Sequence, residues 1–206
     1  MTSTPKYDVY RLTDPTDTQV RQLHGLVTTM VGQGAALGWV EPPSERDVRE
    51  LVADLMQAGE FDNACLVVAE TIAVGDEQPL IVGFAYWNRR DGETEEPHAD
   101  IPKVAVSSEA RGGGLGRRIV EELISYGRKT GIEILTLDVR GNNHAAMALY
   151  ERLGFAEYGR IGDFVAVDNE RWDNVYYSLD LREAEEDDLV RHGDAPRGPG
   201  ASRRRG

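Results

Sequence analysis

The chain has 206 residues, 40% of them hydrophobic, one cysteine and a formal net charge of -13. That length and apolar content fit one folded domain with a real core and exclude a wholly disordered chain. Cys65 alone excludes an intrachain disulfide and a repeated C-x-x-C metal site, and the negative balance disfavours nucleic acid, which is bound largely through basic patches. Residues 1–10 lack the basic-then-apolar pattern of a secretory leader, and no stretch approaches the roughly eighteen apolar residues of a membrane span. A cytoplasmic protein with neither a nucleic-acid nor a membrane partner is expected.

In chain order, 7–12 is predicted as a first strand. The spacing of Val20, Leu23, Val27 and Met30 predicts a helix over 17–31. Pro42-Pro43-Ser44, with Asp47 three residues on, signals the start of a second helix that ends before Gly59. Two β-rich runs, 65–72 and 80–87, flank a stretch of turn composition at 75–79. After the acidic loop 91–96, a strand at 101–107 runs into a glycine-rich turn, then a helix with Leu115, Ile119 and Leu123 on one face. A strand at 132–139, a helix at 142–153 and strands at 154–160 and 175–181 complete the body. The sum is a single-domain α/β protein spanning 6–181, with a mixed, mostly antiparallel sheet of about seven strands and flanking helices. From 182 to 206 an acidic run gives way to Pro, Gly and Arg, the composition of a mobile tail. Acidic and basic residues balance within that tail, so the excess negative charge belongs to the body.

The most informative stretch is Arg111-Gly112-Gly113-Gly114-Leu115-Gly116. Glycines between a strand and a helix admit unusual φ angles and remove the Cβ atoms that would hold a ligand away. The backbone amides then lie at the positive end of a helix dipole, which suits a phosphate. A Walker loop fails for want of the Lys-Ser/Thr pair, and the dinucleotide fingerprint G-x-G-x-x-G fails because Arg117 and Ile119 stand where its last glycine is needed. What remains is R-x-x-G-x-G.

Val104-Ala105-Val106 followed by that turn resembles the acetyl-coenzyme A loop of the GNAT family of N-acetyltransferases, and a second motif agrees. Asn143, Ala146, Leu149-Tyr150 and Gly154-Phe155 match the family's N-x-x-A-x-x-L-Y-x-x-x-G-F run. The resemblance covers 100–155 closely and the rest of 6–181 more loosely, with Ser108 where many members have proline. It implies acetyl-coenzyme A as cosubstrate, held by Val104, Ala105 and Val106 along the arm and by Arg111, Gly112, Gly113, Gly114, Leu115, Gly116 and Arg117 at the phosphates. It also implies a sheet splayed between strands four and five. Tyr150 would be the acid facing the departing sulfur, and Asn143 would steady the arm or the tyrosine's helix. The homodimers common in the family leave a second copy open as a partner.

Acetyl transfer to an amine makes its own demands. At pH 7 an alkylamine of pKa ~10.4 needs about 4.6 kcal/mol to shed its proton, whereas protonating a thiolate of pKa ~8.5 is favourable by about 2 kcal/mol. A base therefore matters more than an acid, and Asp100, opening the fourth strand, and Asp138, near the end of the fifth, are the candidates. Pro102 removes a ladder donor and predicts interrupted pairing beside it. His24, His98, His144 and His192 show no metal-ligand spacing, so no metal is expected.

The connection between the first two helices, 32–39, contains three glycines and Trp39 and offers either a lid over the acceptor or a packed interhelical connection. There and over 159–181 the chain resembles the tabtoxin-resistance type of acetyltransferase, which implies a small, amino-acid-like amine acceptor. A protein N-terminal or lysine acetyltransferase, and an acyl-coenzyme A sensor without chemistry, are the alternatives.

Overall fold

An apolar run buried on both faces organises the fold: the first six residues of β2, Ala64–Thr71, are inaccessible to solvent. Such a strand needs layers above and below it. The structure, a computed structural model, describes residues 7–35, 37–73, 75, 78–167 and 169–182. Lys6, parts of the 75–79 turn, and the tail expected beyond Arg182 lie outside the described residues.

The elements in order are β1 (Tyr7–Arg11), α1 (Asp17–Gly32), α2 (Glu45–Gly59), β2, β3 (Ile81–Arg89), β4 (His98–Val106), one 3-10 turn, α3 (Leu115–Lys129), β5 (Ile134–Arg140), α4 (His144–Arg152), β6 (Ala156–Val167) and β7 (Glu170–Asp180). They form one seven-stranded sheet in the order β1-β2-β3-β4-β5-β7-β6, antiparallel except for the β4/β5 pair. This is the mixed, mostly antiparallel architecture expected from the sequence. The helix starts obey local chemistry: Thr16 with Gln19, and Ser44 with Asp47, each close a capping box that satisfies two otherwise orphaned N–H groups.

Each face of the sheet carries its own apolar core. On one side α1 and α2 bring Val20, Leu23, Val27, Val52 and Leu55 against Leu66, Val68, Phe84 and Tyr86. On the other, α3 and α4 bring Ile119, Val120, Leu123 and Tyr150 against Val67, Ala85, Trp87, Leu135 and Tyr177. Trp87 is fully buried there and donates its indole N–H to the Leu123 carbonyl at 3.3 Å.

Two boundaries differ from expectation. β4 starts at His98, because 98–100 pair with β5 and the Pro97 carbonyl accepts from Glu133. β6 and β7 form a longer hairpin than the apolar pattern suggests, reaching Val167 and starting at Glu170. Most of the outer half of β6 is exposed, so its side chains carry little burial signal; the backbone ladder and the Arg160–Asp173 ion pair across the strands hold it.

Cys65 lies in β2, and burial pushes its thiol up to about 12. The thiolate is the reactive form. We therefore expect no reaction with a disulfide reagent at pH 8 in the folded protein and one equivalent after denaturation; labelling of the folded chain at the denatured rate would contradict this burial.

Candidate active site

The site begins where two strands part. β4 and β5 pair only through His98–Ile134, Ala99–Leu135 and Asp100–Thr136. Beyond that point β4 continues with β3, and β5 continues with β7. A wedge opens between them, as the resemblance implied. Pro102 shapes one wall: Ile101 and Pro102 together face the single residue Trp87, since Asn88 pairs with Asp100 and Tyr86 with Lys103. This bulge, expected from the missing N–H, bends β4 as the wedge begins.

Asp100 sits at the vertex. Its oxygens accept from Arg90 Nε at 3.1 Å and Nη2 at 2.9 Å, and from the Thr136 hydroxyl. These bonds join the two strands through the carboxylate. Asp138 differs: it is exposed on β5 past the vertex and forms no hydrogen bond among the described residues.

The opposite wall presents backbone. Ser107 N–H donates to the Val82 carbonyl at 2.8 Å across the Gly83–Val106 pair. By antiparallel alternation the peptide groups of Val104 and Val106 then point away from β3, into the wedge. Ala105 faces the other way in register, and its side chain is buried under α1 and α2.

At the wedge's end the chain turns through the glycines. Gly112 and Gly114 have φ of +85° and +76°, which glycine adopts without strain. Gly114 is the N-cap of α3 and has no side chain to cap it, so the first-turn amides of Leu115, Gly116 and Arg117 lack intrahelical acceptors. A Cβ at 112, 113 or 114 would meet no protein atom within 4 Å. This open, uncapped amide cradle fits a phosphate-bearing ligand. At Gly116 a Cβ would touch Leu149 at 3.5 Å and Val106 at 3.6 Å, so that glycine lets α3, α4 and β4 meet.

The flanking arginines are engaged within the protein. Arg111 donates through Nε to the Val106 carbonyl at 3.0 Å, and Arg117 pairs with Glu121 at 2.7 Å. Arg118 bonds the Tyr7 carbonyl on β1 through both terminal nitrogens at 3.2 Å. Leu115 turns its side chain into the core. The groups that the cradle presents are thus mainly amides, and Arg117 sits in an exposed pair worth under about 1 kcal/mol.

Asn143 is the N-cap of α4 and accepts from the Ala146 N–H at 3.3 Å, while its side-chain amide has no acceptor among the described residues. Tyr150, two turns on, is buried, with its ring edge-on to Phe155 at 5.7 Å and tilted against Tyr177 at 6.3 Å. Its hydroxyl makes no hydrogen bond among the described residues. Burial, and after it the negative charge of Asp138, pushes its pKa well above the ordinary tyrosine value.

Lys103 belongs to neither of the two motifs. It lies half-buried on β4, its ammonium 4.0 Å from the centre of the Trp39 ring. Burial pulls its pKa below the ordinary value, and Asp138 opposes that pull. A single cation in an otherwise apolar I-P-K-V-A-V strand was the available signal. Among the described residues no group of three or more His, Cys, Asp or Glu side chains is placed to hold a metal, and no helix is long and apolar enough to cross a membrane.

Comparison with known proteins agrees with this geometry. A mycothiol acetyltransferase from Rhodococcus jostii is 32% identical over 125 residues, covering 60% of this chain and 40% of that protein. The ribosomal protein bS18-alanine N-acetyltransferase of Escherichia coli is 46% identical over 59 residues, 29% of this chain and 40% of the relative. The chain thus spans less than half the length of these curated relatives. A phosphinothricin acetyltransferase from Sinorhizobium meliloti, solved with acetyl-coenzyme A, superposes with a TM-score of 0.72 over 85% of this chain and 88% of that one, at 22% identity. The family model described as "Acetyltransferase (GNAT) family" matches residues 34–155, more than half of the chain, which therefore belongs to the GNAT acetyltransferase family.

Proposed function

We propose that the protein transfers the acetyl group of acetyl-coenzyme A to a primary amine of a small molecule. The observation that carries this reading is the wedge: backbone groups on one wall, an uncapped amide cradle at its end, and beside it Tyr150, whose ring is buried and whose hydroxyl bonds nothing among the described residues. Acetyl-coenzyme A supplies the activated thioester. The amides of Gly112, Gly113, Gly114, Leu115, Gly116 and Arg117 hold its phosphates, with Arg111 fixing the turn to Val106, and Val104 and Val106 bond the arm. One N–H of that strand holds the carbonyl oxygen as it gains charge.

Asp138 draws in the acceptor's ammonium and takes its proton through water. As the carbon–nitrogen bond forms and the carbon–sulfur bond breaks, Tyr150 donates a hydrogen bond to the sulfur. At ordinary values, full transfer from a phenol to a thiolate is already uphill by about 2 kcal/mol, and the raised pKa of Tyr150 makes it more so. The thiol's proton therefore derives from the attacking nitrogen, and Tyr150 stabilises charge while that proton arrives.

Release of coenzyme A thiol, followed over a panel of amino acids, polyamines, aminated antibiotics and peptides, tests the assignment. We expect turnover of small amines to exceed that of peptide N-termini and lysines; no release with any amine would overturn it. A second reading, a protein α-amine acceptor, draws on the Escherichia coli relative, and preferred peptide turnover would select it. For the base, we expect Asp138→Asn to lower kcat at least tenfold. Asp100→Asn, which breaks the bidentate contact with Arg90, should mainly cost about 1 kcal/mol of stability. A denaturant titration beside the kinetics separates the two, and the reverse pattern would return the base to Asp100.

A further inference from the structure

Resting on the acetyl-transfer reading, we infer that the acceptor is an amine that also carries a carboxylate, held between Lys103 and Arg140 with its amine toward Asp138.

The segment joining α1 and α2 crosses the wedge and touches both walls. On the β5 side the Gly34 carbonyl accepts from Arg140 Nη2 at 3.5 Å. On the β4 side Trp39 covers the Lys103 ammonium, and a Cβ on Gly38, whose φ is +77°, would lie 3.3 Å from that nitrogen. Gly34, Gly38 and Trp39 of this connection thus lie against both cations, while Leu37 packs into the core beneath α1 and α2. Asp138 and Arg140 lie two apart on β5 and so share one face of the strand.

Like Arg11, Arg89, Arg111 and Arg118, whose hydrogen-bond partners among the described residues are neutral, these two cations form no ion pair with a carboxylate among the described residues, but they alone of these lie against the 34–39 connection at the wedge. Arg46, Arg49, Arg90, Arg117, Arg160 and Arg182 each pair with an Asp or Glu within 4 Å. Lys103 has no such ion pair among the described residues. The partners shown for Arg140 are neutral: Asn142 at 2.8 Å, the Gly34 carbonyl, and the Trp172 ring at 6.0 Å. Two cations, Lys103 and Arg140, face this cleft beside the Asp138 carboxylate, whose charge offsets part of that on Lys103, and an anion received there completes the balance. A cation over an aromatic ring recovers only part of the cost of leaving water. The positive field would also repel a plain ammonium, whereas an acceptor bearing both charges meets Asp138 with one and the cations with the other.

The test uses matched acceptors: a free α-amino acid, its carboxamide, and a short peptide with the same N-terminal residue. With wild-type protein we expect kcat/KM for the free acid to exceed that for the carboxamide at least tenfold. Lys103→Met should cut this ratio at least tenfold, Arg140→Gln should cut it in the same direction, and Lys103→Arg should retain it within about threefold. A thermal shift with acetyl-coenzyme A verifies that each variant is folded and binds its cosubstrate. A wild-type enzyme indifferent to the carboxylate, or a ratio unmoved in both Lys103→Met and Arg140→Gln, overturns this inference and leaves acetyl transfer standing. Preferred turnover of the peptide, or of no amine at all, overturns the small-amine reading and the inference with it.

Discussion

Replacing Gly114 with valine is expected to remove acetyl-coenzyme A binding while leaving the chain folded. Gly114 has φ of +76° and caps α3. A side chain there pays a backbone penalty of roughly 1–2 kcal/mol, which in a domain of this size lowers Tm by about 2–8 °C. The protein itself offers no obstacle, because a Cβ at 114 meets nothing within 4 Å. The valine methyls instead occupy the space in front of the amides of Leu115, Gly116 and Arg117, where phosphate oxygens would lie. Hydrogen bonds to a charged group contribute about 1.5–3 kcal/mol each. Losing two of them weakens affinity by at least a hundredfold. Calorimetric titration reads this directly, and undiminished affinity would falsify the placement of the phosphates at this turn.

The second large effect is kinetic. Tyr150→Phe should lower kcat ten- to a hundredfold, about 1.4–2.7 kcal/mol in the barrier, with the dissociation constant for acetyl-coenzyme A unchanged. The ring contacts with Phe155 and Tyr177 survive the substitution. Because the hydroxyl bonds nothing else among the described residues, its removal strands no partner, and Tm should move by less than about 2 °C. A kcat equal to wild type would mean that the hydroxyl serves only packing; a fall in Tm with kcat intact would point the same way.

These predictions draw on parts of the molecule that differ in how far the sequence discloses them. The capping pair Ser44 and Asp47, the glycines at 112 and 114 and the missing donor of Pro102 act within a few residues of themselves, so their structural effect is readable along the chain. The outer half of the β6–β7 hairpin was not readable, because Arg160, Gly162, Asp163 and Arg171 carry no apolar alternation to mark a strand. Asp100 and Asp138 were indistinguishable as acidic residues on neighbouring strands. Arg90 separates them, by claiming one carboxylate and leaving the other exposed.

By itself the sequence determined the α/β architecture, the turn that must accept positive φ and the two motifs that mark the family, since each depends on local backbone chemistry or short spacing. Only the tertiary structure decided which polar groups share the site. Pairing at 98–100 with 134–136, and its end there, sets where β4 and β5 separate. That separation brings Gly34 to Arg140 and Trp39 to Lys103 from distant parts of the chain. It also leaves the glycine turn presenting mainly amides, because Arg118 is held on Tyr7, 111 residues away. Contacts at that range follow from strand register and layer packing, which local composition does not encode.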